Sequence, residues 1–379
     1  MRAATALNAA LAAYDPRRLT LACIGSHSAL DVSLGAKLQG LRSLVIAATG
    51  REKTYTVAYR AREDGTGCVD EVLVVDHFAD VLGDRLQREM LARNAIFVPN
   101  RSFEVYARER HSYDEIEQKM MAPLFGSRRL LRAEERDEAD NQYRLLDEAK
   151  IRYPKRLRGP DEIGGLTLIK AQHAKVRFER AFFLAATPEQ YRKRAAFYLQ
   201  SGVVTEDGLA RAVFEEYVLG PTVNLNFFWS PILNELELLG TDTRRQTNID
   251  GIRSLLAIDQ APLGAAFTAS MEEAGHIAAT ITESMLEQAF DMGQRFVQAA
   301  ARLRPPGIIG PFALQCVIAA GPPKSFVVYD VSLRIPGSPG TKYTPYGAYR
   351  WGRELSVGER IAKEVVLARD SGRLAEICT

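Results

Sequence analysis

The chain has 379 residues, enough for two or three domains with cores of their own at roughly 100–200 residues per domain. With 46% hydrophobic and 25% charged residues it has ordinary globular composition, and the absence of repeats or low-complexity tracts excludes a fibrous or solenoid chain. A formal net charge of +2 excludes a global attraction to nucleic acid or membrane, so any phosphate recognition has to be local.

The four cysteines, Cys23, Cys68, Cys316 and Cys378, have no metal-ligand spacing and read as reduced, mostly buried thiols. The first apolar run is interrupted by Asp15-Pro16-Arg17-Arg18, too early for a signal peptide or a spanning helix. The expected location is therefore the cytoplasm, with no membrane and no nucleic-acid partner.

Residues 1–14 predict an amphipathic helix ending before Asp15-Pro16. Residues 19–24 then predict a buried strand, and Gly25-Ser26-His27-Ser28 the loop into a helix over 29–40. This is a β-loop-α unit of the doubly wound type, in which ligands gather at strand carboxyl ends and helix amino termini. Strands over 44–48, 71–75 and 95–98 continue the parallel pattern, with a helix over 78–94. In such a sheet Ser102 lies at the same edge as His27. His27 could hold a phosphate together with backbone amides, or polarise a small substrate; equally, His27 could be a cap and Ser102 a turn residue. Arg128 and Arg129 could clamp a phosphate or form surface pairs. The charge-dense run 134–150 predicts a helix bridging two domains.

From Pro154 the pattern becomes antiparallel, with strands over 167–171 and 181–185. Lys170 sits inside the first of these, and a buried lysine needs a partner, either a nucleotide phosphate or a carboxylate from a neighbouring strand. No glycine interrupts Gln172–Arg180. A helix over 188–201 follows. In the segment 212–219, Glu215, Glu216 and Val218 could present backbone groups to a base edge or simply form an amphipathic strand. A strand over 235–239, a loop over 244–251 and a long helical region over 271–301 come next. Two β-branched runs, 312–319 and 325–331, then flank an AAGPPK turn and predict a hairpin. Gln315 and Asp330 lie within it. Neighbouring strands can supply the few oxygen ligands that Mg²⁺ requires, although a satisfied core amide and a strand-end turn former would leave the same signature. Residues 357–369 predict a final amphipathic helix.

Taken in order, GSHSALDVSLGAKLQG, EEYVLG, NIDG, PPGIIGPFALQ and FVVYDVSLR resemble the archaeal formate-dependent synthetases that make 5-formaminoimidazole-4-carboxamide ribonucleotide (FAICAR), members of the ATP-grasp superfamily. The resemblance covers nearly the full length. It implies an α/β and α+β fold, with a Rossmann-like substrate-binding domain over 1–130. A central ATP-grasp domain over 131–220 and a carboxyl-terminal one over 221–379 would clasp ATP. It implies that ATP and Mg²⁺ are used to phosphorylate formate, and that the amine of AICAR ribonucleotide attacks the formyl phosphate. It places His27, Ser102 and Asn248 on AICAR ribonucleotide, and Lys170 on the ATP phosphates. Glu215, Glu216 and Val218 fall at the adenine hinge, Gln315 and Asp330 on the metal, and Arg334 near the developing acyl phosphate, with His27 beside the reacting centre. It also implies a homo-oligomer.

The sequence departs from that pattern at several points. The loop after Lys170, glycine-rich in the family, reads HAKVRFER, and side chains with a Cβ resist the backbone angles that bring amides onto phosphate. The family's PHGS is Pro99-Asn100-Arg101-Ser102, its FGNR is Phe125-Gly126-Ser127-Arg128, its metal Glu is Asp330, and its GGTN is Pro339-Gly340-Thr341-Lys342. The alternative readings are a diverged ATP-grasp ligase acting on another carboxylate and amine, or a nucleotide-binding protein without ATP turnover.

Overall fold

The computed structural model describes residues 2–135, 138, 140–172, 174, 180–247, 256–260 and 271–379. Its principal elements begin with α1 (Arg2–Ala13), β1 (Thr20–Ile24), α2 (Ala29–Leu38), β2 (Arg42–Ala48), β3 (Glu71–Val75), α3 (Asp84–Ala92), β4 (Ala95–Phe97), α4 (Arg101–Arg108) and α5 (Tyr113–Lys119). The middle of the chain forms α6 (Gln142–Glu148), β5 (Arg156–Leu157), β6 (Thr167–Gln172), β7 (Arg180–Ala185), α7 (Pro188–Gln200) and β8 (Val213–Glu216). The remainder forms β9 (Thr222–Ser230), β10 (Glu235–Thr247), β11 (Met271–Ala278), α8 (Leu286–Leu303), β12 (Gly310–Ala319), β13 (Ser325–Ser332) and α9 (Val357–Asp370). Among the described residues no helix is long and apolar enough to cross a membrane. All four cysteines are buried and unbridged.

Two compact units result. The larger comprises Met1–Lys150, Thr222–Cys316 and Asp330–Thr379; the smaller comprises Ile151–Pro221 and Val317–Tyr329. The expected first and third segments thus share a unit, because their apolar surfaces form one core: Leu21, Val45 and Ile96 cluster with Ile309, Ile335, Val357, Ile361 and Val365.

In the larger unit β1 to β4 form a parallel sheet of order β3-β2-β1-β4. Every residue of β1 is buried, as a central parallel strand covered on both faces requires. Helix α2 packs on α9 through backbone contact. A Cβ on Gly35 would lie 2.4 Å from the carbonyl of Gly358, and one on Gly358 would lie 2.2 Å from the Asp31 carbonyl oxygen. The Asp31 carboxylate accepts from Gly358 N at 2.8 Å and fixes the crossing. A Gly358→Ala chain should therefore lose about 1–3 kcal/mol of stability through overpacking, read as a lower urea midpoint at unchanged slope.

The second sheet runs β11-β10-β9-β12-β13. Its Phe227 and Phe312 stack at 5.3 Å, and Phe296 of α8 stacks on Phe312 at 5.7 Å, so α8 covers that face. The smaller unit holds the antiparallel sheet β5-β8-β6-β7, with Phe183 stacked on Tyr198 of α7 at 5.0 Å.

Two expected helices are corrected. Residues 271–278, rich in helix formers, form β11 because β10 offers them an open antiparallel edge, and the helix begins only at Leu286. Cross-strand pairing outweighs local propensity there. Of the expected helix over 134–150, α6 takes only Gln142–Glu148, capped by the Asn141 side chain.

Candidate functional site

The edge beyond β1 and β4 brings the two amino-terminal candidates together. Parallel pairing of β1 with β4 puts the loops after both strands side by side, and Ser102 Oγ donates to Ser26 Oγ at 2.7 Å. Asn100 caps α4 by accepting from Phe103 N at 3.0 Å, and its amide donates to the carbonyls of Ile24 (3.1 Å) and His27 (2.8 Å). The His27 side chain is exposed above Gly337, where a Cβ would come within 2.8 Å of His27 Nδ1. Ser28 Oγ donates to Pro336 O at 2.9 Å, and Asn100 bridges Ile335. The segment following β13 is thereby fixed against this loop pair.

Gln315 and Asp330 also meet. Gln315 Nε2 lies 3.3 Å from Asp330 Oδ2 and 3.4 Å from Ser332 Oγ, on the face of the sheet opposite Phe312 by strand alternation. A side-chain amide and a carboxylate on adjacent strands are oxygen donors of the kind a hard cation takes. These two residues could hold Mg²⁺.

The same face of β9 to β11 carries a polar set that the sequence reading missed. Asn224 and Asn226, odd-numbered steps from Phe227, donate to Asp242 at 2.9 and 2.6 Å, and His276 Nδ1 lies 2.5 Å from Asp242 Oδ2. Burial opposes the charge of Asp242, yet the hydrogen bonds from His276 and Asn226 hold its carboxyl below the usual range. Polar residues at alternate positions of the otherwise apolar TVNLNFFWS were the available signal. Its partner His276 was hidden inside the run read as helix.

Between these two regions Arg334 is buried, its Nε 3.4 Å from Glu104 and its Nη2 3.2 Å from Glu134. Glu134 also accepts from Leu333 N at 2.5 Å. Arg101 Nη1 approaches Glu104, Glu134 and Glu135 at 3.5, 3.6 and 3.9 Å. Burial and the neighbouring Glu134 push the Glu104 carboxyl up to about 8, against the pull of Arg334 and Arg101. A carboxyl raised this way stabilises the fold below its unfolded value, near 4.5, and that contribution is lost as pH rises through about 8. A Glu104→Gln chain should accordingly gain melting temperature relative to the parent between pH 6 and pH 9, by roughly a few degrees. A constant difference across that range would refute the assignment.

The smaller unit pairs Lys170 with Glu215, both buried, across β6 and β8. Two residues expected to meet nucleotide thus meet each other, the carboxylate alternative open from the sequence. Glu216 is exposed and its backbone pairs with Lys155, while Val218 is half-buried beyond the strand end. Asn248 and most of the glycine-free loop after Lys170 lie outside the described residues. Arg128 donates through its Nη atoms to the carbonyls of Glu117, Met120 and Thr379. Lys342 lies over the Tyr343 ring and its charge is felt by Asp31.

Against known proteins, the chain is 37% identical to a 5-formaminoimidazole-4-carboxamide-1-(beta)-D-ribofuranosyl 5'-monophosphate synthetase of Methanopyrus kandleri, over 97% of each chain. It belongs to this synthetase family. The synthetase of Methanocaldococcus jannaschii is 35% identical, over 94% of this chain and 93% of its own. Two family profiles match, a domain of unknown function (DUF1297) over residues 190–379 and a protein of unknown function (DUF1246) over residues 21–157. Among solved structures, an IMP biosynthesis protein PurP from Thermococcus kodakaraensis aligns with a TM-score of 0.68 at 28% identity, over 95% of this chain and 100% of that one. The biotin carboxylase domain of a Hydrogenobacter thermophilus 2-oxoglutarate carboxylase, in complex with MgADP, ADP and bicarbonate, aligns with a TM-score of 0.58 at 12% identity, over 91% of this chain and 69% of that one. The synthetase has the ATP-grasp fold.

Proposed function

We infer that this chain is an ATP-dependent carbon–nitrogen ligase that formylates AICAR ribonucleotide with formate to give FAICAR, in IMP biosynthesis. The observation that carries the reading is the full-length kinship with the archaeal synthetases, at 37% identity over 97% of each chain. A formate oxygen attacks the γ-phosphorus of ATP, the bond to ADP breaks, and formyl phosphate results. The amine of AICAR ribonucleotide then attacks the formyl carbon, phosphate leaves with the bonding pair, and the nitrogen loses a proton. Both steps need positioning and charge neutralisation more than covalent help from the protein.

In this reading Gln315 and Asp330 hold Mg²⁺, whose charge offsets that of the phosphates when bound. Their mutual contact on one sheet face supports the assignment. His27 and Ser102, with Ser26 beside them, bind the ribonucleotide. The Glu215 to Val218 stretch serves adenine, and Glu215 holds Lys170 in place for phosphate. Arg334 acts through position: bound by Glu104 and Glu134, it fixes the segment that runs from Asp330 to Gly337 under His27. Asn248 is kept as a ribonucleotide contact on the family pattern. A homo-oligomer belongs to the same reading and is testable by light scattering.

The test is incubation with ATP, Mg²⁺, formate and AICAR ribonucleotide. Phosphate release that requires every component, with a formylated product, is expected. Absence of that product overturns the reading.

A further inference from the structure

Among the described residues, one cation on the polar sheet face enters no ion pair. Arg244 stands directly opposite His276 in the antiparallel β10–β11 register, two residues from Asp242 and on the same face. Residues opposite one another in such a pair have Cβ atoms about 4.5–5.5 Å apart, so the two side chains leave the sheet side by side. Arg244 is half-buried, its Nε is buried without a hydrogen-bond partner, and among the described residues it enters no ion pair. Asp242, the carboxylate nearest along the strand, already accepts from Asn224, Asn226 and His276. Arg245 follows Arg244 on the same strand, and the 3-10 segment Pro339–Tyr343, which carries Lys342 and Tyr343, packs against β10 and β11. Of the described residues on these elements, these supply no anion to Arg244.

A guanidinium whose Nε is desolvated and unpaired is costly unless a ligand completes it, and its planar fork matches an oxyanion with two oxygens. By strand alternation this face is also the one that carries Gln315 and Asp330. We propose that Arg244 is a substrate-binding residue that takes an oxyanion of one substrate, with the Asp242–His276 pair and its two asparagines fixing the floor on which it lies. This rests on the function inferred above, whose substrates offer two such groups, the carboxylate of formate and the 5′-phosphate of the ribonucleotide.

Two variants, Arg244→Lys and Arg244→Gln, decide it, with Arg245→Gln as a neighbouring-charge control and circular dichroism to establish folding. Arg244→Lys is expected to raise KM for one of the two anionic substrates by about ten-fold or more, with KM for ATP nearly unchanged. Guanidinium at millimolar concentration should partly restore Arg244→Gln. Thermal shift provides a readout without turnover, using AICAR ribonucleotide, its riboside lacking the phosphate, and sodium formate as probes. If the 5′-phosphate is the ligand, ribonucleotide protection falls in both variants while riboside protection is unchanged. If formate is the ligand, formate protection falls and ribonucleotide protection is unchanged. Parent-like protection and parent-like KM values in folded variants overturn the proposal, as does a parent protected by neither anion. A parent protected by one of them in an Arg244-dependent manner, yet forming no formylated product, supports Arg244 and overturns the function instead.

Discussion

An Asp330→Ala chain is expected to lose formylation by about a hundred-fold or more while melting within a few degrees of the parent. The chemical loss follows because the carboxylate beside Gln315 is the charged member of the pair assigned to Mg²⁺, and phosphoryl transfer relies on neutralising the phosphates. The modest effect on stability follows from position: Asp330 is only half-buried, and Gln315 keeps the Ser332 hydroxyl at 3.4 Å after the change. Asp330→Glu, which puts back the residue of the family pattern, should retain activity with a shifted Mg²⁺ requirement. Initial rates at varied Mg²⁺ check both. An Asp330→Ala chain as active as the parent would remove the metal assignment.

Replacing Arg360 by methionine is expected to lower stability by about 3–5 kcal/mol. Arg360 is fully buried, donates to Glu237 at 2.7 Å and to Glu364 at 2.8 Å, and lies 4.0 Å over the Phe228 ring. Glu364 in turn accepts from Ser230 at 2.7 Å, so one cation joins α9 to β9 and β10. Its loss strands two buried carboxylates with no countercharge. Urea unfolding measures the effect, and adding Glu237→Gln and Glu364→Gln should recover part of it. If the added changes recover nothing, lost packing rather than stranded charge is responsible.

The parts of the site that were legible in the sequence are those where one residue type is out of place locally. Lys170 in an apolar strand announced a buried partner, and Gln315 and Asp330 did the same in the hairpin. His27 and Ser102 were placed on one edge because parallel β-loop-α units leave little choice of geometry. The carboxylates that hold Arg334 were not legible. Glu104 lies on a short helix and Glu134 some thirty residues later, and neither differs in sequence from a surface glutamate. His276 was lost to a wrong period, since MEEAGHIA carries helix formers and only the exposed edge of β10 makes it a strand.

The sequence by itself determined the parallel amino-terminal sheet, the hairpin and the order of the family motifs, because each depends on local alternation and turn chemistry. Only the tertiary structure decided that Lys170 and Glu215 would be a pair, that α9 would pack its glycine onto α2, and that Arg244 would face His276. Those outcomes depend on which distant strands become neighbours. Pairing across a sheet is set by the burial of whole faces, a quantity that no short stretch of sequence contains.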